Sequence, residues 1–222
     1  MSQERWSAVD RYVTDLLVPS DPALDAALAA NAAAGLPAHD VSAAQGRLLE
    51  VLARMRGARR ILEIGTLGGY STIWLARGLA PGGRLVTLER DGVRADVARG
   101  NLAWAGLDGV VEVRVGPALE ALPALAAEDE APFDLVFVDA DKESAAEYAA
   151  WALRLTAPGS AIVFDNVVRG GALADAASDD ARVRGVRALH EVLAGAPGVY
   201  ATTIQTVGAK GYDGFTLALV GE

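Results

Sequence analysis

Arg60-Ile-Leu-Glu-Ile-Gly-Thr-Leu-Gly-Gly-Tyr-Ser-Thr72 decides how this chain folds. A short apolar run, Ile61 to Ile64, is interrupted only by Glu63. Three glycines follow, Gly65, Gly68 and Gly69, and then a helix-like segment, Ser71 to Arg77. Strand, glycine turn and helix in that order open a nucleotide-binding α/β unit. Glycine serves where the backbone turns sharply or approaches a ligand with no Cβ in the way. Ser71 stands where the helix begins, so its hydroxyl is expected to cap free N–H groups or share them with a bound carboxylate. Glu63 is unexpected inside a central strand, because a buried carboxylate needs partners.

The glycine spacing separates two classes of ligand. Dinucleotide sites use G-x-G-x-x-G, whereas this chain has Gly65-x-x-Gly68-Gly69, which puts the pyrophosphate-cradling pair out of register. That disfavours an NAD(P)-dependent oxidoreductase. A ligand without phosphate fits better, and S-adenosylmethionine is the common one. The bland alternative is a strand–turn–helix with no ligand at all.

Outward from this unit, strands and helices alternate. Before it, Trp6, Val9, Tyr12, Val13, Leu16 and Leu17 recur at helical spacing up to Pro19. Core packing is the expected role of these residues, with a lid over the site or a dimer contact as the alternatives. Asp21-Pro22 starts an alanine-rich helix that should stop near Gly35 and Pro37, and Ser42 reads as the N-cap of a helix running to Gly57. After the unit come a strand over Leu85–Glu89, a helix over 92–105, a strand from Val110 to Val115, and a helix through Leu125. Phe133 to Asp139 is the fourth strand, 143–155 a helix, and Ala161 to Asp165, after the Pro158-Gly159 turn, the fifth strand. Gly170-Gly171 begins a mobile-looking loop, and a helix spans about 179–194. Val199–Val207 and Phe215–Val220, linked only by Gly208 to Gly214, form an antiparallel hairpin. The expected architecture is α/β, one doubly wound and mostly parallel sheet. It forms a single domain over 1–222, with an N-terminal helical portion at 1–57 and a Rossmann-like core at 58–222.

Composition narrows the function. With 20 basic against 29 acidic residues the formal net charge is −9, and no Lys/Arg-dense stretch offers a nucleic-acid footprint. There is no cysteine, hence no disulfide, thiolate metal site or cysteine nucleophile. The polar opening residues predict no signal peptide, and no apolar run reaches the roughly 20 residues that span a bilayer. A soluble cytoplasmic protein is expected, with no nucleic-acid or membrane partner.

Ligands of open α/β sheets bind beyond the carboxyl ends of the strands. Glu89 ends the second strand 24 residues beyond Gly65, near the separation of about 20 typical of a carboxylate that accepts from ribose hydroxyls. The fourth strand ends in Asp139-Ala-Asp-Lys142 and the fifth in Asp165-Asn166. Asp139, Asp165 and the Asn166 amide oxygen are three hard oxygen ligands suited to Mg²⁺ or a similar cation. The plainer reading is that these aspartates cap helices or bind water.

Together Glu63-Ile-Gly-Thr-Leu-Gly-Gly-Tyr-Ser71, Phe137-Val-Asp-Ala-Asp-Lys142 and Asp165-Asn-Val167 resemble the cation-dependent O-methyltransferases, the caffeoyl-CoA and catechol O-methyltransferase group. The similarity runs from Ser42 and Gly46 through Asp213-Gly214. It implies a class I S-adenosylmethionine fold with a seven-stranded sheet whose last strand is antiparallel, and commonly a homodimer. It also implies Asp139, Asp165 and Asn166 as metal ligands and Lys142 as general base. For the methyl donor it implies Glu89 at the ribose, Gly116-Pro-Ala118 at the adenine, and Val41, Gly65 and Ser71 at the methionine end. Glu63 and Asp141 are nearby supporting acids, and Asp139 faces donor and metal alike. Plant members carry Asn-Tyr two and three residues after the lysine, where Ser144 and Ala145 stand here, which argues against a plant-like acyl-CoA acceptor. The implied reaction methylates a hydroxyl of a small catechol-like or phenolic acceptor. A non-catalytic S-adenosylmethionine-binding protein is the competing reading. Acceptor specificity is expected in residues 19–40 and in the loop after Gly170.

Overall fold

A computed structural model describes residues 2–128 and 132–222. Three helices come first: α1 (Gln3–Leu17), α2 (Pro22–Ala33) and α3 (Ala43–Arg56). Then β1 (Arg60–Ile64), α4 (Tyr70–Arg77), β2 (Arg84–Glu89), α5 (Gly92–Trp104), β3 (Val111–Val115), α6 (Ala118–Ala127) and β4 (Phe133–Val138) alternate. The chain ends with α7 (Ala145–Arg154), β5 (Thr156–Phe164), a 3₁₀ turn (Arg169–Ala174), α8 (Ala181–Gly195), β6 (Val199–Gly208) and β7 (Gly211–Val220). The seven strands lie in the order β3-β2-β1-β4-β5-β7-β6, all parallel except β7, which runs against both β5 and β6.

Side-chain alternation builds a layer on each face of the sheet. Leu62, Ile64, Val136, Val138 and Phe164 pack with Leu122, Tyr148, Ala149 and Leu189 on one side. Ile61, Leu135, Phe137 and Val163 pack with Leu49, Ile73, Trp74 and Leu102 on the other. Helix ends follow local chemistry: Asp21, Ser42, Asp91 and Asp180 accept backbone N–H groups at the starts of α2, α3, α5 and α8, and Gly57 closes α3 in the left-handed conformation.

The strand order reverses at β1 and β4, with β2 and β3 laid down to one side and β5 to the other, and ligands of such sheets bind at that switch point. Gly65, just past β1, has φ +102°. A Cβ there would lie 2.0 Å from the Asp139 carbonyl oxygen, so only glycine lets the two strand ends close together. Hydrogen bonds continue past the strands proper: Gly65 N–H donates to Leu88 O (3.0 Å), Asp139 N–H to Ile64 O (2.8 Å), Asp165 N–H to Val138 O (3.0 Å) and Gly116 N–H to Glu89 O (2.9 Å). The carboxyl tips of five strands are therefore in register along one rim.

Several local expectations are corrected. α1 buries none of its residues, and Val9, Tyr12, Leu16 and Leu17 are exposed, so its apolar stripe is not core. The helix is fastened at its polar edge, where Asp10 accepts from Ala209 N–H (2.6 Å) and Gln3 donates to Gly208 O (2.8 Å). β5 starts before Pro158-Gly159, because a shift in register between Phe133 and Leu135 takes up the extra residues. The β6–β7 connection is two residues, Ala209-Lys210, since Gly208 still pairs with Gly211. Gly170 and Gly171, at φ +63° and +96°, make a left-handed kink within the Arg169–Ala174 segment.

Candidate active site

Glu63 is wholly buried on β1, facing α4. Three hydroxyls satisfy it: Ser71 Oγ (2.6 Å) and Thr87 Oγ1 (2.6 Å) donate to it, as does Thr72 Oγ1. Ser71 therefore does not cap α4, whose N-cap is Gly69 with no side-chain bond. Its hydroxyl instead ties the first turn of the helix to the strand. Burial pushes the Glu63 carboxyl up to about 7, against the opposing pull of those hydroxyls and with the Asp139 charge adding to the rise.

Glu89, at the tip of β2, is held by two amides: Leu67 N–H donates to Oε2 (2.8 Å) and Asp91 N–H to Oε1 (2.9 Å). Each oxygen keeps a lone pair for a further donor. Leu67 has φ +52°, so the turn presents its amide to the carboxylate from a left-handed backbone. Ala118 begins α6 just after Gly116, which has φ +137°.

At the tips of β4 and β5, Lys142 Nζ lies 2.9 Å from Asp139 Oδ1. α8 comes up beneath this turn so closely that a Cβ on Gly185 would lie 2.0 Å from the Lys142 carbonyl oxygen. Asp141 accepts from Tyr148 Oη (2.7 Å). Partial burial would raise Asp141, but hydrogen bonds from Ser144 and Tyr148 outweigh it and hold the carboxyl below its ordinary value. Asp141 thus anchors the turn to α7. Asp165 is buried beside Asp139. Burial first, then the Asp139 charge, push its carboxyl up to about 7, with Lys142, the Asn166 amide and the Gln45 side chain pulling the other way. Asn166 has φ +53°. Asp213 on β7 fixes the chain beyond it, its Oδ1 accepting from the amides of Val168, Arg169 and Gly214, each at 2.9 Å.

All the residues singled out in the sequence at the strand tips therefore meet along one rim, with Val41 buried against the α3–α4 side of the core. A void of about 10 Å³ is bounded by Asp141, Lys142, Tyr148 and Asp165. A cavity of about 440 Å³ lies to the side, between α1, α2 and residues 36–44, reaching Val41, Tyr70 and Lys210. Its walls hold none of the strand-tip carboxylates. Gln45, Thr72 and Thr87 escaped the sequence reading, and Asp213 was noted there without a role. Only tertiary contact reveals them, because each stands singly in an otherwise ordinary helix or strand.

A parallel sheet with acids, glycines and a lysine on its carboxyl rim defines a class I S-adenosylmethionine-dependent methyltransferase. Residues 21–220 match the O-methyltransferase family. Catechol O-methyltransferase of Mycobacterium tuberculosis is 57% identical over 212 residues, 96% of this chain and 94% of that protein. The O-methyltransferase of Bacillus cereus, solved in complex with S-adenosylhomocysteine, superposes with a TM-score of 0.97 at 55% identity, covering 99% of this chain and all of that one. TomG of Streptomyces achromogenes, an O-methyltransferase involved in tomaymycin synthesis and solved with S-adenosylmethionine, gives 0.96 at 57% identity over the full length of both chains. The chain belongs to the O-methyltransferase family, in its caffeoyl-CoA and catechol branch, and is an S-adenosylmethionine-dependent enzyme. Among the described residues no helix is long and apolar enough to cross a membrane.

Glu63 carries a pH signature. Its folded value of about 7 exceeds its ordinary 4.5, so between those values the folded state holds more protons than the unfolded one. Its contribution to stability is full below that window and is lost as pH rises through it, by at most about 1.4 kcal/mol per pH unit. Thermal unfolding of wild type and Glu63→Gln at pH 5 and pH 7.5 should show the wild type losing stability relative to the variant. Parallel curves would remove the assignment.

Proposed function

We propose that this enzyme moves the methyl group of S-adenosylmethionine, a substrate consumed at each turnover, to a hydroxyl of a small catechol-like or phenolic acceptor. Lys142 is the base, and Mg²⁺ or a similar cation is held by Asp139, Asp165 and Asn166. One observation carries the reading: at the switch point Lys142 Nζ lies 2.9 Å from Asp139, and buried Asp165 feels the charges of both. The names of relatives such as the mycobacterial catechol O-methyltransferase support the acceptor class.

The donor set fits a hard divalent cation. It is all oxygen, and Asp139 and Asp165 bring two carboxylates together, the charge that such an ion neutralises. The proposed set is two carboxylates and an amide, and among the described residues no three His, Cys, Asp or Glu side chains gather as a metal group. When bound, the cation would chelate neighbouring acceptor oxygens and favour the ionised hydroxyl.

The chain's own residues do the rest. Asp139 holds the Lys142 side chain at the rim, where, once the ammonium has released a proton to solvent, the neutral amine takes the acceptor proton. Glu89 accepts from the donor's ribose, its carboxylate aimed by Leu67 and Asp91. Gly65 and the main chain at Val41 and Ser71 receive the methionine end, and the Ala118 turn receives the adenine. Glu63 and Asp141 brace this frame from behind. Aligning the two reactants in line can supply about 7–11 kcal/mol, which leaves little else for the protein to do. The exposed stripe Val9, Tyr12, Leu16 and Leu17 on α1 supports self-association as a homodimer.

Methyl transfer to a panel of catechols, with chelator and with added Mg²⁺, tests the chemistry. Activity should vanish with chelator and return with the ion. Lys142→Ala should lose about 10²–10⁴-fold in turnover with affinity for S-adenosylhomocysteine nearly unchanged. Turnover indifferent to the chelator, or intact in Lys142→Ala, would refute the corresponding role. Sedimentation velocity should find a dimer that Tyr12→Asp with Leu16→Asp weakens, and a monomeric wild type would exclude the dimer.

A further inference from the structure

The N-terminal helices contain a polar device that the chemistry above leaves unused. Asn31 sits in α2 among alanines and leucines and is 2% exposed. Its Nδ2 donates to Asp40 Oδ1 at 2.9 Å, and its Oδ1 accepts from Asn101 Nδ2 at 3.0 Å. The second proton of that Asn101 amide goes to the Gly68 carbonyl, at 2.8 Å. A Cβ on Gly68 would lie 1.8 Å from Asn31 Oδ1, so the carboxamide rests directly on the glycine turn. Four segments remote in sequence thus meet in one chain of amides: α2, the residues just before Val41, the turn after β1, and α5.

Burial alone does not explain this choice of residue. A leucine at position 31 would cover the same surface but would leave one N–H of the buried Asn101 amide unpaired, at about 1–3 kcal/mol, and would take a donor from half-buried Asp40. An aspartate would supply the acceptor but lose the donor and set like charges together. Asparagine alone offers a donor at one end and an acceptor at the other. What the amide adds over an apolar contact is a fixed distance between the Asp40-Val41 segment and the Gly65–Gly69 turn.

We propose that Asn31, with Asp40 and Asn101, is a positioning residue for the methyl donor: the amide chain sets the gap between the main chain at Val41 and the glycine turn, into which the donor's amino-acid end fits. The inference rests on the placement of that end given under Proposed function. None of the three side chains touches a reacting atom. Asn31 and Asp40 also line the 440 Å³ cavity, so the same link ties its wall to the donor site.

Calorimetric titration with S-adenosylhomocysteine decides it, using full-length wild type, Asn31→Ala, Asp40→Ala and Asp40→Asn, well below each protein's Tm. KM for S-adenosylmethionine and kcat on one catechol are measured beside it. Asn31→Ala should bind about tenfold more weakly, with KM raised in proportion and kcat within about threefold of wild type. Asp40→Ala should move the same way. Asp40→Asn should stay near wild type, since its carbonyl still accepts the Asn31 amide. Asn31→Ala and Asp40→Ala binding within about twofold of wild type, even with a lowered Tm, would make the amide chain a structural brace only and overturn the inference. If Asn31→Ala does not fold, the contrast between the two Asp40 variants decides, equal affinities overturning it. A wild type that fails to bind S-adenosylhomocysteine would instead remove the donor placement beneath it.

Discussion

The close approach of two strand ends governs this molecule. With no Cβ at Gly65, the Asp139 carbonyl enters space that any other residue would fill. β1 and β4 therefore stay hydrogen-bonded to their last residues, and Asp139 emerges at the point where the strand order reverses. β5 follows in register, which puts Asp165 beside it. A wider gap at Gly65 would separate the carboxylates from each other and from the glycine turn. The position of this carboxylate pair is thus a consequence of backbone packing before any side chain is considered.

Each charge drawn into this rim is answered differently. Glu63 is neutralised in part by its raised pKa and surrounded by hydroxyls, so it works as an internal brace between β1, β2 and α4. Glu89 is clasped by backbone amides and keeps its outward lone pairs. Asp141 is committed to α7 through Tyr148. Asp139 and Asp165 feel each other's charge, and the Lys142 ammonium is paired with Asp139. Buried carboxylates in that condition either take up protons or hold a cation.

Much of this was legible in the sequence. The strand–glycine–helix unit, the alternation that followed and the acids at strand ends needed only local patterns. The E-I-G-T and D-A-D-K stretches carried a family resemblance that the fold and relatives bear out. What stayed hidden depended on distant contact. α1 has the periodicity of a core helix, yet its stripe faces outward, because periodicity reports which residues share a face and not what that face meets. Ser71 sits at a helix start but serves Glu63, whose need for donors outweighs the gain from a cap. Asn31 is one polar residue in an alanine-rich helix, and nothing nearby in sequence announces Asp40, Asn101 and Gly68 as its partners.

Crystals grown with S-adenosylhomocysteine and Mn²⁺, and measured for anomalous scattering from the metal, test the central claim most directly. A single strong peak flanked by the side-chain oxygens of Asp139, Asp165 and Asn166, with Lys142 beside it, is the predicted result. No peak between those side chains at saturating Mn²⁺ would contradict it.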